Sequence, residues 1–390
     1  MYCAWNSKVG RIDAALLCFL LGLLVCGDAS ADEIGFQDLL DRLGAAAPTG
    51  AGIPVVQVEA GGAAYSPDVT IPEFAGKTFN AMSGAASASW HATEVAKAMY
   101  GLGTSMSWGV TNIYNYEAGN WAQTGYLKVN QGVSFPPATP PGGARIFNNS
   151  WIGSFGGNLD KEALRRADLA MNRDYTLFIS GENNGAGSAL APLMCMSYNG
   201  LAVGVPNGEH SAGPTNSSAD GIGRQKPEIV APGQFTSFAT PVVSAAAALL
   251  YQTGMQAPLN ADVWASRGIV IKAALLAGAK HRSTWANNAP TSGSSRGIAT
   301  QPLDPLYGVD TLNIDRSHMI LTAGRTVTAT SFDSVEPTGM KGWMQHTFPL
   351  NSQNTGMYAN IVLPTLNNTL CVVVTWNRAV SAAQMPGAAS

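Results

Sequence analysis

The chain has 390 residues, a net charge of −3 and 12% charged side chains, against roughly 25% in an ordinary globular domain. It carries no Lys/Arg cluster or basic stripe, which excludes a nucleic-acid partner. With 46% apolar residues and 43 glycines it reads as a globular protein with many tight turns and a substantial core, without repeats or heptads.

In chain order, Lys8 and Arg11 precede an unbroken apolar run at residues 14–26, and Ala29-Ser30-Ala31 fits a signal-peptidase site before Asp32. The run falls short of the ~20 residues that span a bilayer. Residues 1–31 therefore read as a signal peptide, and the mature chain as secreted or periplasmic with no stable membrane span. Two cysteines remain after the leader, Cys195 and Cys371, and nothing in their spacing requires a disulfide or suits a metal. Residues 32–51 form a short lead with one amphipathic helix at 36–43.

From residue 52, apolar strand-like runs alternate with helical patterns. A strand at 53–58 ends at Glu59, and a helix opens at His91. Another strand is expected at 144–151, after a Pro-rich loop at 135–143. Residues 160–172 have helical spacing, with Leu164 and Leu169 on one face. Strands follow at 177–180 and 201–205, then helices at 237–253, stopped by Gly254, and at 268–279. This alternation predicts a mostly parallel sheet covered on both faces, with sites at the carboxyl ends of its strands. Glu59 and Asn183 fall at such ends. After a Ser/Gly-rich loop at 284–301, short strand-like runs at 319–330, 343–350, 359–363 and 369–375 make residues 316–390 a β-rich segment.

The chemistry concentrates in four segments. Thr236-Ser237-Phe238-Ala239-Thr240-Pro241 leads into a helix of small residues. Ser237 is thereby set at a helix N-terminus, where free N–H groups and the helix dipole favour developing negative charge. Pro241 is expected in the first turn. Alone, Ser237 would read as an N-cap. Upstream, however, lie Ser89-Trp90-His91-Ala92-Thr93, the run Leu177-Phe178-Ile179-Ser180-Gly181-Glu182-Asn183-Asn184-Gly185, and Lys226-Pro227-Glu228-Ile229-Val230-Ala231-Pro232-Gly233. In this order the segments resemble the motifs of the subtilases, the subtilisin-like serine endopeptidases, over about residues 52–313.

That resemblance implies a subtilisin-like doubly wound α/β catalytic domain at 52–315, followed by what resembles an incomplete β-sandwich. It also implies Ser237 as nucleophile and His91 as general base. Asn183, with the Ser237 N–H, would form the oxyanion hole, and Asn184 is its close rival. Protein or peptide substrates would lie extended beside Ser150, Trp151, Ile152 and Gly153. No cofactor or metal is implied by the residues. Three departures from the family pattern stand out. Glu59 occupies the strand end where the family has an aspartate, with Asp68 as the rival carboxylate. Glu94 stands where the histidine motif usually repeats a histidine. Some twenty residues between the expected cleavage site and the first strand leave no room for an inhibitory prodomain. The leading expectation is an exported serine endopeptidase. The alternatives are a catalytically silent relative that binds peptides, and an esterase using the same triad.

Overall fold

A computed structural model of the chain describes residues 33–215, 220–296, 298–299, 301, 303–325, 342–343 and 373–380. The expected signal peptide, Cys371 and most of the C-terminal strand-like runs lie outside the described residues. One parallel sheet contains β1 (Val55–Glu59), β2 (Thr78–Ala81), β3 (Asn112–Glu117), β4 (Ile146–Asn149), β5 (Leu177–Gly181), β6 (Leu201–Gly204) and β7 (Ile229–Val230). Their order is β2-β3-β1-β4-β5-β6-β7. The chain grows from β1 to one side and then, from β4, to the other, which is the doubly wound arrangement expected from the sequence. The crevice of such a sheet opens where the order reverses, beyond the carboxyl ends of β1 and β4.

Strand periodicity divides the core in two. Val55, Ile113, Ile146, Ile179 and Val203 pack on one face with the helices α2 (Trp90–Tyr100), α4 (Thr236–Met255) and α5 (Gly268–Gly278). Val56, Val58, Phe147 and Phe178 pack on the other with α3 (Asn158–Asp174) and Trp121. Gln57 and Glu59 follow Val55 at a spacing of two, so the alternation of the strand directs them towards α2. The alanine run Ala245–Ala248 is fully buried and lets α4 lie close against the sheet.

Several expectations need correction. Helix α4 continues through Gly254 to Met255, and Gly254 serves close packing: a Cβ there would lie 2.4 Å from the Ala265 carbonyl. Pro241 is the sixth residue of α4, in its second turn, where its missing N–H leaves the Ser237 carbonyl without an i+4 partner. The strand expected at 144–151 is confined to β4, and β2, β3 and β7 are strands beyond those expected from the sequence. Residues 319–322, expected to be extended, close a helix, α6 (Ile314–Thr322), opened by an Asn313 side chain that accepts the Arg316 N–H. The lead helix α1 (Phe36–Leu43) forms at its expected residues and docks on α6 through Arg42 to Asp315 at 2.6 Å. The proposed boundary at residue 315 thus falls inside a helix that packs on α4 and α5, and the lead packs on that helix too.

Candidate active site

Three elements converge at the crevice. Ser89 caps α2 by accepting the Ala92 N–H at 3.2 Å, which sets His91 in the first turn of that helix. Glu59 ends β1, 1% exposed, and its Oε2 lies 2.7 Å from His91 Nδ1. Gln57 Nε2 donates to Glu59 Oε1 at 2.8 Å and to the Ala92 carbonyl at 2.9 Å, while Gln57 Oε1 accepts the Tyr100 hydroxyl. Both carboxylate oxygens of Glu59 are therefore occupied by donors. The hydrogen bond from His91 to Glu59 is the main cause that raises the imidazole above its ordinary 6.5, partly offset by burial. With Nδ1–H donated to Glu59, Nε2 is left as the acceptor, the tautomer a general base requires. Asp68 does not compete for this role: its carboxylate accepts Thr70 N–H and Thr70 Oγ1, in the loop before α2.

Ser237 is the second residue of α4 and half-buried. Its hydroxyl donates to the Ser150 carbonyl at 3.4 Å, and no hydrogen bond joins it to His91 among the described residues. The start of α4 nonetheless meets α2 here, where the ring of the next residue, Phe238, packs on the His91 ring at 5.8 Å between centroids. Phe238 also meets the exposed Trp90 edge-to-face at 5.8 Å, and the two line a cavity of about 370 Å³ with Glu94 and Lys97, which are themselves paired at 2.8 Å.

The start of α4 is held against the end of β5. Thr236 Oγ1 donates to the Glu182 carbonyl at 2.6 Å. A Cβ on Gly181 would lie 2.7 Å from Thr240 Oγ1 and 3.2 Å from the Thr236 carbonyl, so the absent side chain admits the helix. Asn184 Oδ1 accepts the Thr236 N–H at 2.9 Å and lies 3.1 Å from Thr236 Oγ1, which caps the helix from a neighbouring loop. The Asn183 amide points elsewhere, donating to the Ala189 carbonyl at 3.2 Å. Among the described residues, neither Asn184 Nδ2 nor the Ser237 N–H has a hydrogen-bond partner.

The segment expected to pair with substrate follows β4. Ser150 is buried, with its hydroxyl accepting from Asn148 Nδ2 at 2.9 Å, and Trp151 Nε1 donates to Asn149 Oδ1 at 3.1 Å. Ile152 is exposed, and the Gly153 carbonyl accepts the Leu193 N–H at 3.2 Å. One edge of the segment is thus already used by the chain itself. Among the described residues, no three His, Cys, Asp or Glu side chains gather as a metal site, and no helix is long and apolar enough to cross a membrane. Cys195 is buried and has no disulfide partner among the described residues, with its thiol on the Gly181 carbonyl at 2.7 Å.

Comparison with solved structures gives the prenylagaramide maturation protease PagA at 21% identity, covering 73% of this chain and 98% of that one, with a TM-score of 0.46. The patellamide maturation protease PatA stands at 20%, 70%, 97% and 0.47. The protease MycP1 with its N-terminal propeptide removed stands at 16%, 74%, 96% and 0.47. No curated protein matches the chain. The subtilase family model matches residues 76–297, more than half of the chain. That span holds His91, Asn183, Asn184 and Ser237, while Glu59 precedes it. A match of this extent makes the chain a member of the subtilase family, a serine-type peptidase acting on protein or peptide substrates.

Proposed function

We propose that this chain is an exported endopeptidase that cleaves peptide bonds through a Glu59–His91–Ser237 triad. The observation that carries the reading is the 2.7 Å contact of Glu59 with His91 Nδ1, which leaves Nε2 free to accept a proton. On substrate binding the Ser237 hydroxyl turns from the Ser150 carbonyl to that nitrogen. Catalytic hydrogen bonds commonly tighten only in the substrate complex. Ser237 Oγ then attacks the carbonyl carbon, and its proton passes to His91. As the C–N bond breaks, the imidazolium returns that proton to the leaving amine. Water hydrolyses the acyl-enzyme by the same route in reverse.

The oxyanion would be met by the Ser237 N–H and a side-chain amide. The family register points to Asn183, but its amide is engaged by Ala189, while the Asn184 carbonyl is anchored on Thr236 and its amide nitrogen has no partner among the described residues. We assign the donor to Asn184. Substrate lies extended along Ser150, Trp151, Ile152 and Gly153. Export rests on the leader at residues 1–31.

A fluorophosphonate probe tests the reading directly. The mature chain should label, Ser237→Ala should abolish the label, and casein should be cleaved. An unlabelled wild-type chain would favour the silent peptide-binding alternative, for which the resting Ser237–Ser150 contact is the supporting observation. Labelling with turnover of simple esters alone would favour an esterase.

A further inference from the structure

The turn that carries Asn183 and Asn184 begins with a buried acid. Glu182 is 1% exposed, and its backbone is fixed on both sides: its N–H donates to the Val203 carbonyl at 3.0 Å, and its carbonyl accepts Thr236 Oγ1. Its Oε2 accepts the Ser211 hydroxyl at 2.7 Å, while among the described residues Oε1 has no hydrogen-bond partner. Ser211 Oγ in turn accepts the Asn183 N–H at 3.1 Å, and the Ser211 N–H donates to the Asn183 carbonyl at 2.8 Å. One hydroxyl therefore links the Glu182 carboxyl to the backbone of the oxyanion turn.

Among the described residues, no charged side chain pairs directly with Glu182. Lys226 Nζ binds Glu228 Oε2 at 2.8 Å and the Ser197 carbonyl, and Lys272 binds Glu228 Oε1 at 2.7 Å. His210, beside Ser211, accepts the Val205 N–H on Nδ1 and holds the Leu306 carbonyl with Nε2. Glu209 accepts the Ala186 N–H, and the Cys195 thiol is spent on Gly181. Burial pushes the Glu182 carboxyl up to about 7, against the downward pull of Ser211 and Lys226, with Glu228 adding to the rise. A buried carboxylate with one bare oxygen is costly, and the neutral acid costs less there because no charge is desolvated. The neutral acid also sets no charge beneath the turn, while the ionised form opposes the developing oxyanion in a medium that screens poorly.

We propose that Glu182 is a positioning residue of the oxyanion turn, acting through Ser211, and that its neutral form supports turnover while its ionised form suppresses it. The inference rests on the triad mechanism proposed above. It makes kcat bell-shaped in pH, with His91 protonation on the acid limb and Glu182 ionisation on the alkaline limb.

The test measures kcat and KM against pH with a peptide p-nitroanilide, for the mature wild-type chain, Glu182→Gln and Ser211→Ala. Wild-type kcat should fall about tenfold on the alkaline side. Glu182→Gln should keep the acid limb, lose the alkaline limb and leave KM unchanged. In Ser211→Ala the link to the turn is cut, so the alkaline limb should shrink even where Glu182→Gln fails to fold. A labelled, active wild type whose kcat stays flat on the alkaline side overturns the inference alone, as does an alkaline limb that survives in Glu182→Gln. A wild-type chain that neither labels nor cleaves at any pH overturns the triad mechanism and the inference with it.

Discussion

Glutamine at position 59 is the sharpest perturbation of the proposed triad, because the hydrogen bonds around that side chain dictate how an amide must sit. Gln57 Nε2 already donates to Glu59 Oε1 at 2.8 Å, and it is itself held by the Ala92 carbonyl and by Tyr100. An amide at residue 59 therefore turns its carbonyl to Gln57 and its NH2 to His91 Nδ1. Nδ1 must then accept, the proton moves to Nε2, and Nε2 can no longer take the Ser237 proton. In serine proteases the comparable Asp-to-Asn change costs about 10⁴ in turnover, or about 5 kcal/mol of barrier. Loss of the carboxylate also removes the main cause that raises His91, so the residual activity should show an acid limb shifted to lower pH.

The assay is steady-state hydrolysis of a peptide p-nitroanilide across pH, with thermal melts of each variant to verify folding. KM should change little, since Glu59 is buried behind His91. The double variant Gln57→Leu/Glu59→Gln carries the argument further. With nothing to fix its orientation, the amide can flip its carbonyl to His91, and activity should recover part of the loss, a non-additivity that a general structural defect would not produce. Glu59→Asp withdraws the carboxylate by about 1.5 Å and should lower kcat without altering the tautomer. A folded Glu59→Gln variant with kcat within about tenfold of wild type would refute the orientation argument.

Asn184→Ala should lower kcat about 10²–10³-fold with KM little changed, while Asn183→Ala should act mainly on loop stability; the reverse ranking, in the same assay, returns the oxyanion role to Asn183. Gly181→Ala drives a methyl into Thr240 and Thr236, and should destabilise the fold by about 1–3 kcal/mol and reduce turnover, because the displaced turn carries Ser237; urea unfolding and kcat read the two effects. Asp168 is fully buried, accepts the Asn199 N–H at 2.9 Å, and is pushed up to about 7 chiefly by burial. A carboxyl raised in the fold contributes stability that is complete below its unfolded value and lost as pH rises through its folded value. Urea unfolding of Ser237→Ala should therefore show stability falling on the order of 2 kcal/mol between about pH 5.5 and 7 from this group, and Asp168→Asn should flatten that part of the slope.

The parts of the molecule legible in the sequence are those whose signals are local. The lead helix, β1, α3, β5 and α5 announce themselves by periodicity, and Ser89, His91 and Ser237 by their places at helix starts. The misread parts owe their conformation to neighbours. Strand β3 reads Asn-Ile-Tyr-Asn-Tyr-Glu, and its asparagines disfavour a strand on local propensity. It is a strand because β1 and β2 flank it and Asn115 is buried inside the sheet. The run after Asn313 carries β-branched and apolar residues, yet Asn313 caps it into a helix that α1 and α5 cover. Asn183 and Asn184 are chemically identical neighbours. Only the docking of the loop on Thr236 separates them, and no one-dimensional pattern records that docking.

In the proposed triad, Glu59 acts together with the residue two positions before it. A carboxylate at a buried strand end has, besides the oxygen that meets the imidazole, a second oxygen that must be satisfied, since an unpaired ionised oxygen in that position is expensive. The residue able to satisfy it lies two positions earlier, on the same face of β1, because strand side chains repeat every two residues. Gln57 fills that place, and it is itself oriented: its carbonyl is fixed by Tyr100 from α2, and its amide bridges to Ala92 beside His91. The helix that carries the imidazole thus also orients the group that orients the carboxylate. A Gln-x-Glu pair at the end of β1 is the sequence trace of that arrangement. Any substitution that breaks Gln57 should therefore disturb His91 through Glu59, while leaving Ser237 and its helix in place.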